Sequence, residues 1–309
     1  MAVRTLLAPL LVLLVSTGIN AGDVAGQESE NQDTPGETRR VISPAGDVSI
    51  AYRAVGSEDP TVLFVHGWMC DRTYWREQVG YFSGDYRVVT VDLAGHGESG
   101  RDRDDWSVES FAQDVVAVAN ALESEQLVLA GHSSGGIIVA EAARRLRGRV
   151  ASIVGVDTFF DSWAENVQEY LADLIADLDE DFQPTAIEWG TNTMFLPGAD
   201  SSFARRIARD MASGPEEVGV RSLQGTARWL DANYPEILAS FEIPVGIIQS
   251  ELYSDLLSTV DSVGTARGPL RIRLIPGTGH FLMRERPEAF NRALEAMVVD
   301  WTTGSSGSG

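Results

Sequence analysis

Apolar positions along this chain fall into two alternating patterns. Short apolar runs bounded by turn-forming residues read as buried strands over 61–65, 86–91, 126–130, 150–156, 244–249 and 270–275. Two opening strands, over 41–43 and 48–55, flank the turn Pro44-Ala45-Gly46-Asp47. Helical spacing predicts helices over 73–82, 108–122, 136–146 and 287–301. Alternation of this kind argues for a mostly parallel central sheet flanked by helices. One interval, 159–242, breaks it, with helix patterns and no clear strand. Its first helix carries an apolar stripe of Val167, Tyr170, Leu171, Leu174, Ile175 and Leu178. Glu165, Glu169, Asp173 and Asp177 recur every fourth residue on another face and read as solvated; bordering a pocket entrance, they would disfavour anionic substrates. Trp163, Trp189, Met194, Phe195, Phe203, Met211 and Trp229 give the interval apolar bulk, mostly core, with some of it expected to line a pocket.

The most chemically informative stretch is Gly131-His132-Ser133-Ser134-Gly135, which lies between a predicted strand and a predicted helix. A G-x-S-x-G sequence in that context reads as a nucleophile elbow. The sharp turn holds the middle serine in strained geometry, and the flanking glycines remove Cβ atoms that would clash. It exposes Ser133 and aims the Ser134 N–H at the same spot. A serine hydroxyl needs a base to take its proton as it attacks. The chain has four histidines. His66 and His96 sit in loops after early strands, and His132 lies inside the elbow. His280 follows the strand over 270–275 and precedes the final helix, which makes it the candidate base.

Together these residues resemble the α/β-hydrolase family over roughly residues 40 to 302, in which nucleophile, acid and histidine follow in that order. His66-Gly67-Trp68 resembles the family's H-G-x turn, which implies an oxyanion hole made by the Trp68 and Ser134 N–H groups. Asp92 to Ser99 resembles its D-x-x-G-x-G-x-S loop, with Asp92 in a structural role. Gly279-His280-Phe281 resembles the histidine loop, and the interval over 159–242 stands where the family inserts a helical cap after the sixth strand. The resemblance also implies the acid. Its commonest slot, after the seventh strand, holds Tyr253, with Glu251 and Asp255 two residues to either side. A second slot, after the sixth strand, holds Asp157, which stands 24 residues after Ser133 as in members that use it. The reading takes Asp157 as the acid and Glu251 and Asp255 as alternatives. A serine nucleophile sets the chain apart from the family's dehalogenases and epoxide hydrolases, which use aspartate there.

Composition adds constraints. Hydrophobic residues make up 44% and charged residues 22%, as in ordinary globular proteins. The formal charge is −21, and all 24 basic residues are arginine. Such acidity argues against nucleic-acid or anionic-membrane partners. Cys70, the single cysteine, has no internal disulfide partner. No histidine, cysteine and carboxylate cluster has metal-ligand spacing, so neither metal nor other cofactor is expected. Residues 1–21 read as a cleavable signal peptide with an apolar run over 6–15, shorter than the roughly 20 residues that span a bilayer. The expected location is periplasmic or extracellular, without stable membrane insertion once the signal is removed; an uncleaved anchor is the alternative. Residues 22–39 read as a disordered linker, 40–158 and 243–302 as the core, and 303–309 as a flexible tail. The expected activity is hydrolysis of small to medium apolar carboxylic esters. Carbon–carbon bond hydrolysis, lactonase, thioesterase and cofactor-free perhydrolase chemistry are alternatives on the same residues, as is ligand binding without turnover.

Overall fold

The computed structural model describes residues 36–159, 166–233, 236–255 and 267–303. The predicted signal peptide, most of the linker, Trp163, Glu165 and the tail from 304 lie outside the described residues, as does the Val167 side chain.

Among the described residues, eight strands form one sheet: β1 (Thr38–Ser43), β2 (Val48–Val55), β3 (Thr61–Val65), β4 (Arg87–Val91), β5 (Leu127–His132), β6 (Val150–Val156), β7 (Val245–Ser250) and β8 (Leu270–Ile275). Their order is β1-β2-β4-β3-β5-β6-β7-β8. β2 runs antiparallel to both neighbours, and every pair from β4 to β8 is parallel. Every residue of β3 and β5 is buried, which explains why these strands read as continuous apolar runs rather than alternating ones. The edge strand differs. β1 begins at Thr38, inside the segment expected to be linker, because Thr38-Arg39-Arg40 pairs with Arg53-Tyr52-Ala51 through backbone despite its polar side chains. Arg53 Nε donates to Thr38 Oγ1 at 3.1 Å.

A 3-10 turn over Arg72–Trp75 leads into α1 (Arg76–Phe82), with the Asp71 side chain accepting from the Thr73 N–H at the turn's start. α2 (Val108–Ala121) is capped by Ser107, whose hydroxyl accepts from the Ser110 N–H. α3 (Ser134–Arg145) packs on β5 and β6. Helices α4 (Asn166–Glu180), α5 (Phe182–Thr193), α6 (Ser201–Ala212), α7 (Glu216–Asn233) and α8 (Glu236–Ala239) lie between β6 and β7 and form the cap. α5 packs on α6, and α4 on α7. In α4, Leu171, Leu174 and Leu178 are buried while Glu169, Asp173 and Asp177 are exposed. Tyr170, expected in the apolar stripe, is 48% exposed and accepts from Trp189 Nε1 at 2.6 Å. The chain closes with α9 (Leu282–Glu285) and α10 (Pro287–Thr303). α10 runs into the segment read as tail. No helix among the described residues is long and apolar enough to cross a membrane.

Candidate active site

In a doubly wound sheet, ligands bind where the strand order reverses, at the carboxyl ends of the strands. Here the reversal lies between β3 and β5, and the turns after these two strands carry His66-Gly67-Trp68 and the elbow. They approach closely: a Cβ on Gly67 would lie 3.2 Å from Ser133 Cβ.

Ser133 sits between β5 and α3 with φ 52° and ψ −123°, a backbone conformation that L-residues seldom adopt. Two glycines make the turn possible. A Cβ on Gly131 would stand 2.1 Å from the Gly135 carbonyl oxygen, and one on Gly135 would stand 2.5 Å from that of His66. Ser134 is the first residue of α3, where an N–H has no intrahelical acceptor. The Ser133 N–H donates to the Val156 carbonyl at 2.9 Å, which fixes the elbow against the end of β6.

The next residue after β6 is Asp157, fully buried and with φ 51°. Its Oδ1 accepts from Gln249 Nε2 at 2.7 Å and from the Ser250 N–H at 2.8 Å. Its Oδ2 lies 2.6 Å from His280 Nδ1. Those donors make a buried carboxylate tolerable. Glu251 is instead exposed and accepts from the Gly277 N–H at 2.7 Å; Asp255 is exposed too. The structure therefore brings His280 to Asp157 rather than to either alternative acid.

His280 is 7% exposed, and its backbone N–H donates to the Met194 carbonyl of the cap at 2.8 Å. Tyr253, which occupies the commoner acid slot, sets its ring edge-on to His280 at 5.8 Å and donates its hydroxyl to the Thr193 carbonyl at 3.2 Å. Burial and the nearby Asp157 carboxylate push its phenol pKa up, so it stays a protonated donor. Trp68 is buried, and its side chain is anchored in the cap. Its Nε1 donates to the Gly219 carbonyl at 2.8 Å, and its ring packs edge-on against Trp189 at 5.6 Å. These cap contacts have no signal in the sequence, since they join residues 60 or more positions apart.

The other singled-out residues are accounted for structurally. Asp92 is buried, pairs with the Arg72 guanidinium and accepts from the Glu98 N–H at 2.8 Å, which shapes the loop after β4. His66 Nε2 accepts from the Leu93 N–H at 3.1 Å in the same cluster. Cys70 is buried, and burial with nearby Asp210 pushes its thiol pKa up, away from nucleophilic thiolate. Among the described residues no group of three or more His, Cys, Asp or Glu could hold a metal ion.

A family profile described as "Alpha/beta hydrolase family" matches residues 62–293. The 3-oxoadipate enol-lactonase 2 of Acinetobacter baylyi is 26% identical over 262 residues, which cover 82% of this chain and 94% of that protein. A non-heme chloroperoxidase of Streptomyces lividans is 36% identical over 116 residues, 37% of this chain and 42% of that one. Among solved structures, a thermophilic esterase from Thermogutta terrifontis superposes with a TM-score of 0.74 at 22% identity, covering 86% of this chain and 99% of the esterase.

Proposed function

The chain belongs to the alpha/beta hydrolase family, and from that premise we propose that it is a serine hydrolase of small to medium apolar carboxylic esters. The observation that carries this reading is the 2.6 Å contact between His280 Nδ1 and Asp157 Oδ2, one strand away from a serine held at φ 52°. A buried carboxylate on Nδ1 fixes the imidazole tautomer and leaves Nε2 bare as a base.

In this scheme His280 Nε2 takes the Ser133 proton as Oγ bonds to the carbonyl carbon. The carbonyl oxygen becomes an oxyanion held by the Trp68 and Ser134 N–H groups, each worth about 3 to 4 kcal/mol. The intermediate collapses, the ester C–O bond breaks, and His280 returns its proton to the departing alcohol. Water then attacks the acyl-enzyme, gives a proton to His280, and releases the carboxylic acid with Ser133 restored. The Tyr253 ring, set edge-on beside His280, supports an apolar substrate. The leader over 1–21 supports a periplasmic or extracellular location, which the mass of the exported protein would test.

A second reading is lactone hydrolysis, an internal version of the same ester chemistry. It is favoured by the match over 94% of an enol-lactonase. One panel tests both: p-nitrophenyl esters from acetate to decanoate beside γ- and δ-lactones, on wild type and Ser133→Ala. The expected result is turnover that disappears in the variant, with the preferred chain length reporting pocket size. Equal rates in both proteins would overturn the assignment of Ser133.

A further inference from the structure

His132 stands between Gly131 and Ser133, and the scheme above gives its side chain no task. It is 1% exposed. Its Nε2 lies 2.8 Å from the backbone carbonyl of His280, and its ring centroid lies 4.6 Å from that of His280. A carbonyl oxygen only accepts, so Nε2 must carry the hydrogen and donate it. Burial, with the neighbouring His280, holds this imidazole pKa well below its ordinary value, so the ring is neutral with one N–H. Nδ1 is left as an acceptor with no partner among the described residues. It faces the turn after β3, 2.9 Å from where a Cβ on Gly67 would stand. The ring's single hydrogen is thus committed to one acceptor, the backbone of His280.

His280 has two other anchors, its N–H on the Met194 carbonyl and its Nδ1 on Asp157. The first comes from the cap and the second from the end of β6. The His132 contact is different in kind, because its donor is the chain neighbour of Ser133. We propose that His132 is a positioning residue whose Nε2–H, by holding the His280 carbonyl, keeps the base in register with Ser133. The inference rests on the reading of Ser133 as nucleophile and His280 as base. A displacement of the elbow then carries the His280 loop with it, and the two reacting groups stay aligned.

The test compares His132→Met with His132→Gln. The two side chains are similar in length and unbranched, and only glutamine keeps an N–H to donate. With the p-nitrophenyl ester that wild type turns over best, His132→Met is expected to lower kcat by about 10- to 100-fold with KM changed by less than about twofold. His132→Gln should recover most of that loss. The far-downfield proton of the His280–Asp157 hydrogen bond, read by NMR, should persist in wild type and His132→Gln and broaden or vanish in His132→Met. Equal kcat in the two variants, or an unchanged downfield proton in both, would overturn the proposal. Should His132→Met fail to fold, imidazole nitrogen shifts of the wild-type protein still decide. A hydrogen on His132 Nε2 is expected, and one on Nδ1 would overturn the proposal. Absence of any ester or lactone turnover in wild type would count against the catalytic reading alone, because both NMR readouts work without substrate.

Discussion

Asp157 spends its hydrogen-bonding capacity on three donors, Gln249 Nε2, the Ser250 N–H and His280 Nδ1, at 2.6 to 2.8 Å. Replacing it with asparagine keeps the size but puts an amide against a ring N–H, which favours the wrong imidazole tautomer. Asp157→Asn should therefore lower kcat by about 10⁴-fold. Glu251→Gln and Asp255→Asn, changing carboxylates at exposed positions, should leave kcat nearly unchanged. Steady-state kinetics on the three variants checks this, and equal mild effects would remove Asp157 from the scheme. Ser133 is legible in the sequence because G-x-S-x-G falls between an apolar strand and a helix, and Asp157 because the family resemblance points to the position after the sixth strand. The contact of His132 with His280 is not legible. It spans 148 residues, and nothing in a G-x-S-x-G pattern specifies where the second residue's side chain goes.

Elements are held in place by buried charge as well as by apolar faces. Arg103, in the loop before α2, donates from Nη1 to both Asp114 oxygens at 2.9 and 3.0 Å and lies over the Trp106 and Phe111 rings. Asp114 is fully buried, and its Oδ2 also accepts from the Ala94 N–H of the loop after β4. Arg103→Leu would strand that carboxylate in the interior and should cost about 3 to 5 kcal/mol. Urea unfolding measures the loss, and the double variant Arg103→Leu/Asp114→Leu should lose less than the two single losses summed. The parallel strands read clearly from the sequence because burial on both faces leaves an uninterrupted apolar signal. β1 reads short because its pairing is carried by backbone beneath arginine side chains. α9, at four residues, is too brief to show periodicity. The cap appears in the sequence as a helical interval of known place, but its packing of α4 on α7 and α5 on α6 is set by contacts that no local pattern encodes.

For the whole molecule, three buried histidines tie stability to pH. Burial lowers the pKa values of His66 and His132 and takes that of His96 to about 3, against an ordinary value near 6.5. These groups stay neutral in the folded state while the unfolded chain protonates. Their contribution is thus complete above pH about 6.5 and is lost as pH falls below it, for His96 down to about 3. Asp92 and Asp114, raised by burial, act with the opposite sign: their folded forms take up protons first and offset part of the loss in acid. Below pH 6.5 each histidine can cost up to about 1.4 kcal/mol per pH unit. His96→Gln should flatten the fall in unfolding free energy between about pH 6.5 and 5 by up to that slope, measured by urea titrations across the range. An unchanged slope would show that His96 protonates in the folded state.

Met69, Ser133 and Asp157 all have φ between 51° and 54°; Ser133 and Asp157 directly follow β5 and β6, and Met69 lies in the turn after β3. Each holds a conformation that glycine would adopt more cheaply, at about 1 to 3 kcal/mol per residue. Backbone strain is therefore built in where its proposed chemistry lies. Anyone breeding a hardier catalyst from this chain by heat challenge alone would meet that directly. Selection would reward glycine at Ser133, where the side chain makes no buried hydrogen bond among the described residues to lose, and return a robust but inert protein, so survival and turnover must be scored together from the first round.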